Sequence, residues 1–83
     1  MRYNTLERQA RAVRAWIAAG WVCVRLDDDR EIRFPAGKSR RLASAKPDQL
    51  ANIELICDGA SLHWPAVDED LSVQGIIEGR FGA

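Results

Sequence analysis

Apolar and polar positions along this chain change period several times, and the changes mark its elements. Trp21-Val22-Cys23-Val24-Arg25-Leu26 reads as a strand, and Glu31-Ile32-Arg33-Phe34 alternates polar and apolar before Pro35 ends it. Between them Asp27-Asp28-Asp29-Arg30 supplies short polar side chains suited to a turn, so the two strands are expected to pair as an antiparallel hairpin. Residues 4–17 carry two patterns. Leu6, Ala10, Val13 and Ile17 recur at helical spacing, yet Val13 to Ile17 also alternates well enough for a strand that would turn at Ala18-Ala19-Gly20.

Beyond Pro35, Ala36 and Gly37 begin a loop, and Ser39 is placed to cap a short helix through Ala43 with Leu42 inward. Pro47 to Ala51 reads as a second helical turn, with Pro47 at its start and Asp48 near its positive end. Ile53 to Cys57 and Ala60 to Trp64 are strands about Asp58-Gly59, a strong hairpin signal; Pro65 stops the second. Asp68 to Asp70 reads as a loop or helix start. Ser72 is placed to cap a last helix through Glu78, whose apolar face is Val73, Ile76 and Ile77 and which ends at Gly79. The sum is a small α+β domain. It has a mainly antiparallel sheet, a three-stranded meander plus a β-hairpin, and short helices including a C-terminal one.

Eighty-three residues make one small domain that buries only about 60% of its unfolded surface, so its stability margin is thin. Cys23 and Cys57 are too few for a disulfide scaffold, and each sits in an apolar run, so both are expected to be buried thiols in a reducing compartment. No apolar run approaches the ~20 residues that span a membrane, and no apolar core follows the first basic residues as a secretory signal requires. A soluble, cytoplasmic protein is expected.

Net charge is zero but divided. Residues 1–46 hold eleven Lys/Arg and five Asp/Glu, while residues 47–83 hold one Arg and seven Asp/Glu. The balance is +6 against −6. Arg33, Lys38, Arg40, Arg41 and Lys46 form a run with no acid among them, a candidate contact for a polyanion or an acidic partner. The bland alternative is attraction between the two halves, which the zero total favours. Phe34 alone is too little aromatic surface for a base-stacking platform in that run. Trp16 and Trp21 are expected in the core, with a partner-facing patch as the alternative for one of them.

The stretch Leu62 to Val73 is the least generic. It gathers His63, Trp64, Pro65, Asp68, Glu69, Asp70 and Ser72. Strand alternation puts His63 and Trp64 on opposite faces. Asp68, Asp70 and Ser72 have the alternate spacing of a calcium loop, but that loop needs glycine at Val73 and glutamate at Gly79. A lone histidine without a cysteine pair is a poor zinc set. No metal or cofactor is expected. Neighbouring acids on a turn rarely have the perturbed pKa of an acid–base pair, and no nucleophile elbow, phosphate loop or dinucleotide fingerprint is present. The structural expectation is that Asp68 or Asp70 accepts backbone N–H groups where the last helix starts, that His63 donates to one of them, and that Trp64 is core.

These residues, with the hairpin Val22 to Asp28, Arg30-Glu31-Ile32, Phe34-Pro35, Arg41-Leu42, Ala45, Pro47, Gln49, Asn52, Glu54-Leu55-Ile56 and Gly75, resemble the bacterial family called domain of unknown function 2442, in its short form. The resemblance runs over about residues 12–80. It implies a strand at Val13 to Ile17, leaving residues 1–11 as a tail or short helix. One departure stands out: Asp29 occupies the place of the glycine usual in the first hairpin turn. Family members are often encoded beside another small protein in an arrangement like a toxin–antitoxin pair. The resemblance therefore implies a non-enzymatic protein-binding module, an antitoxin-like partner of a toxin-like neighbour. A nucleic-acid-binding regulator using residues 33–46 is the alternative. A homodimer is a further expectation, since so small a domain gains core by pairing.

Overall fold

The computed structural model describes residues 10–82. Strands β1 (Ala12–Ala18), β2 (Trp21–Leu26) and β3 (Glu31–Pro35) form one antiparallel meander; β4 (Glu54–Ile56), β5 (Ser61–Trp64) and β6 (Glu69–Ser72) form a second. Helices α1 (Arg40–Ala43) and α2 (Pro47–Ala51) cross between them, and α3 (Val73–Ile77) follows β6. The tail or helix expected before residue 12 lies almost wholly outside the described residues.

The ambiguous segment is a strand. Ala15 and Ile17 pair with Val24 and Val22 and pack on the core, and Val13 is extruded where the β1–β2 register shifts. Ala19 (φ 50°) and Gly20 (φ 85°) are both left-handed, the conformation that lets a two-residue turn follow the strand twist. At the next turn Asp29 adopts φ 72°, where the resemblance leads to a glycine being expected, and Leu26 N–H bonds to Arg30 O at 2.8 Å. Asp28 accepts the Arg30 N–H at 3.1 Å and so ties the turn to its own chain. The hairpin therefore closes despite the departure.

The second meander differs from the expected hairpin by one strand. Asp68 to Asp70 is expected as a loop or helix start, but Glu69 to Ser72 pairs with β5: Leu62 faces Leu71 and Trp64 faces Glu69. The period-two alternation of buried Glu69 and Leu71 with exposed Asp70 and Ser72 fits a strand. A glutamate on the buried face masked that pattern.

Both meanders contribute to one core: Val22, Val24, Leu26 and Phe34 from the first, Leu62, Trp64 and Leu71 from the second, closed by Leu42, Val73 and Ile76. The sheets approach closely at Gly59. A Cβ there would lie 2.4 Å from the Ala12 carbonyl oxygen. Phe81 stacks on Phe34 with centroids 4.6 Å apart, drawing the C-terminal segment over the core.

Three smaller expectations are corrected. Ser39 sits where α1 begins and its carbonyl accepts Ala43 N–H, but its buried hydroxyl makes no cap. It donates to Glu69 Oε2 at 3.2 Å instead. Cys23 is buried, whereas Cys57 is exposed, because the chain turns at Cys57 with φ 53° and ends β4 one residue early. Among the described residues the ion pairs form mostly within each half. Among the described residues Arg11–Asp58 is the ion pair that joins the halves, while Arg25–Glu31, Arg30–Asp28 and Arg80–Glu78 are local.

Candidate functional site

The 62–73 stretch forms the β5–β6 hairpin and the start of α3. Trp64 is fully buried and donates from Nε1 to the Leu50 carbonyl at 2.9 Å, fixing the end of α2. His63 lies on the opposite, outer face, as alternation requires. It stands between Glu54 of β4 and Asp70 of β6 in one cross-strand row. Its Nδ1 is hydrogen-bonded to an Asp70 carboxylate oxygen. Glu69 turns inward, accepting from Ser39 Oγ and, at 3.1 Å, from Asp70 N–H. The acids are thus divided between two faces of a sheet.

Neither Asp68 nor Asp70 caps the last helix. Ser72 does so, accepting Gly75 N–H at 2.9 Å. Asp68 takes φ 53° in the turn after exposed Pro65, and its carbonyl accepts from Arg41. At the far end of α3, Gly79 (φ 85°) and the Arg80 N–H bond to Gly75 O at 2.7 Å close the helix. Ser72→Ala is expected to cost about 1 kcal/mol. Urea denaturation measures it, and Ser72→Asp should recover most of the loss.

The Asp70 hydrogen bond holds the His63 pKa above its ordinary value against some burial, with the charges of Asp70, Glu54 and Asp68 adding to the rise. The bond therefore stabilises the fold most below the pKa of an unfolded histidine. That contribution fades as pH climbs through the raised folded value. Thermal melts of wild type and His63→Gln at acid and mildly alkaline pH check this. The two curves should converge toward the alkaline end.

No group of three or more metal-ligating side chains is found among the described residues. The basic run is not gathered into one groove by shared contacts. Arg33 lies on β3 with its guanidinium 5.1 Å from the Trp21 ring centroid, and Arg41 is held by the Asp68 carbonyl. Lys38, Arg40 and Lys46 are exposed, the first beside the turn after β3, the second in α1 and the third just before α2. None of the three has an ion pair among the described residues.

A different constellation emerges on the outer face of β1–β3, where Trp16 and Trp21 lie rather than in the core. Register sets out three rows: Ala18, Trp21 and Pro35; Trp16, Cys23 and Arg33; Arg14, Arg25 and Glu31. Cys23 is the buried centre. Arg14 stacks on Trp16 at 4.6 Å as Arg33 does on Trp21. Arg25 is paired with Glu31, but its Nε is shielded from solvent and has no acceptor among the described residues. The signal was present in the sequence. Once Ala19-Gly20 is a two-residue turn, Trp16 and Trp21 must fall on one face as diagonal neighbours.

The molecule is thus a small α+β domain of two antiparallel meanders around one core, with an aromatic and arginine-lined open sheet face. It belongs to the family described as "Protein of unknown function (DUF2442)", whose sequence model matches residues 12–82. A crystal structure of a protein of unknown function from Rhodospirillum rubrum is similar, with 33% identity and a TM-score of 0.85 over 92% of this chain and 94% of that one. The solution structure of the uncharacterized protein CV0863 from Chromobacterium violaceum is 28% identical, with a TM-score of 0.77 over 88% of this chain and 69% of that one. No protein of curated function matches the sequence. No helix among the described residues is long and apolar enough to cross a membrane.

Proposed function

We propose that this protein is a non-enzymatic, cytoplasmic protein-binding module, the antitoxin-like member of a pair with a small toxin-like neighbour. The observation that carries the binding reading is the open face of β1–β3, where two tryptophans and three arginines share nine positions. Tryptophan and arginine are the residues most enriched among those that dominate binding energy at protein interfaces. The 62–73 motif supports the same reading by default, because the side chains of His63, Asp70, Glu69 and Ser72 are engaged in holding strands and helix together. The antitoxin role rests on the gene arrangement that the family resemblance implies.

Co-expression with the product of the adjacent gene tests the proposal. A complex that survives purification, together with rescue of growth when the neighbour is toxic alone, is the expected result. A neighbour that neither co-elutes nor changes growth removes it.

A further inference from the structure

We infer that the outer face of β1–β3 binds an acidic, amphipathic segment of the partner protein. The inference rests on the protein-binding reading above and names the surface and the chemistry of what it takes.

The nine positions are graded along the strands. One end row is apolar: Ala18, Trp21, Pro35. The other is charged: Arg14, Arg25, Glu31. Arg33 stands in the middle row beside Trp16. Three arginines against one glutamate give the nine positions a net charge of +2, centred on Arg14 and Arg33 because Arg25 is paired with Glu31 and also feels Asp29 of the adjoining turn, so the complement carries carboxylates. Trp21 is 38% exposed and adjoins Ala18 and Pro35 in the apolar end row, so the exposed apolar surface is a patch rather than a lone ring.

The gradient also sets the spacing. Trp21 and Arg25 are four residues apart on one strand, about 13 Å. A partner helix spans that distance in a little over two turns. Its apolar side chains would cover Trp21 and Pro35 while its carboxylates, two turns on, reach Arg14 and Arg25.

Net charge favours a protein over a nucleic acid, because a chain of zero total charge is poorly suited to a polyanion. A guanidinium lies over each indole. A carboxylate bonds to the edge of a guanidinium that stays stacked.

The probe is a fluorescein-labelled peptide with leucines in one half and glutamates in the other. A lysine-for-glutamate version and a labelled oligothymidylate serve as rivals, and binding is read by anisotropy at two salt concentrations. The glutamate peptide should bind, more weakly at high salt. Trp21→Ala combined with Arg33→Glu should lower its affinity at least about tenfold, with the melting temperature little changed because both residues are exposed. Lys38→Glu combined with Arg40→Glu alters more charge off the face and should leave the affinity within about twofold. The inference is overturned by no peptide binding, by preferential oligothymidylate binding, or by equal loss in both variants. Its failure is separable from that of the broader reading. If the adjacent gene product still co-purifies with Trp21→Ala/Arg33→Glu, the protein binds a partner through some other surface.

Discussion

Trp64→Ala is expected to leave the domain largely unfolded at 25 °C. The side chain is fully buried, and its Nε1 serves the Leu50 carbonyl at the end of α2. Truncating a buried tryptophan to alanine costs about 3–5 kcal/mol through lost transfer energy and the cavity left behind. Typical stabilities of ~0.05–0.15 kcal/mol per residue give a chain of this length about 4–12 kcal/mol in all. A small domain belongs toward the lower end of that range. Trp64→Phe keeps most of the volume and drops the hydrogen bond, so it should cost less, about 1–3 kcal/mol. Circular dichroism during urea titration measures both. A fully folded Trp64→Ala would mean that the indole fills no essential space.

The second large effect is expected at Gly59. Gly59 and Gly20 have nearly the same φ, +86° and +85°, so an alanine at either carries the left-handed penalty of about 1–2 kcal/mol. They differ in what surrounds them. The new Cβ at Gly20 meets nothing within 4 Å, whereas at Gly59 it lies 2.4 Å from the Ala12 carbonyl oxygen. That oxygen belongs to backbone and can yield only if the second meander moves off β1. Overpacking of this kind adds about 1–3 kcal/mol. Gly59→Ala should therefore be clearly less stable than Gly20→Ala in paired denaturation curves. Equal losses would show that the two meanders do not press together there.

The strands β2, β3 and β5 and their turns were legible in the sequence, whereas β1 was not, because Leu6, Ala10, Val13 and Ile17 fit a helical period as well as a strand's. Val22, Val24 and Phe34 identified the first hairpin, and Asp58-Gly59 marked the turn of the second. β6 was not legible, because its inward position is filled by Glu69, whose buried partner Ser39 is thirty residues away in sequence. Local pattern cannot report a polar side chain made acceptable by a distant hydroxyl. Ser39 was misread for the same reason. It stands at a helix start, where a cap is the local expectation, and a tertiary bond claims its hydroxyl.

The candidate site was half legible. His63, Asp70 and Trp64 were recognised as unusual, and alternation alone separated the imidazole from the indole. Which acid His63 would meet depended on β6 and its register. The Trp16–Trp21 face was obscured because tryptophan in a short apolar run ordinarily means core. The β1–β2 register, set by the Ala19-Gly20 turn, places both rings outward.

On this reading the two unusual regions of the chain have different tasks. The 62–73 stretch joins the second meander to the last helix, and the proposal places partner contact on the outer face of the first meander. A crossed comparison of two double variants, Trp21→Ala/Arg33→Glu and His63→Ala/Asp70→Asn, tests this division most directly. Each is co-expressed with the adjacent gene product, and both co-elution and melting temperature are measured. The predicted result is that the first variant loses the partner and keeps its melting temperature, while the second keeps the partner and melts lower at acid pH. The reverse pattern, with the partner lost only from the His63 variant, would contradict the account.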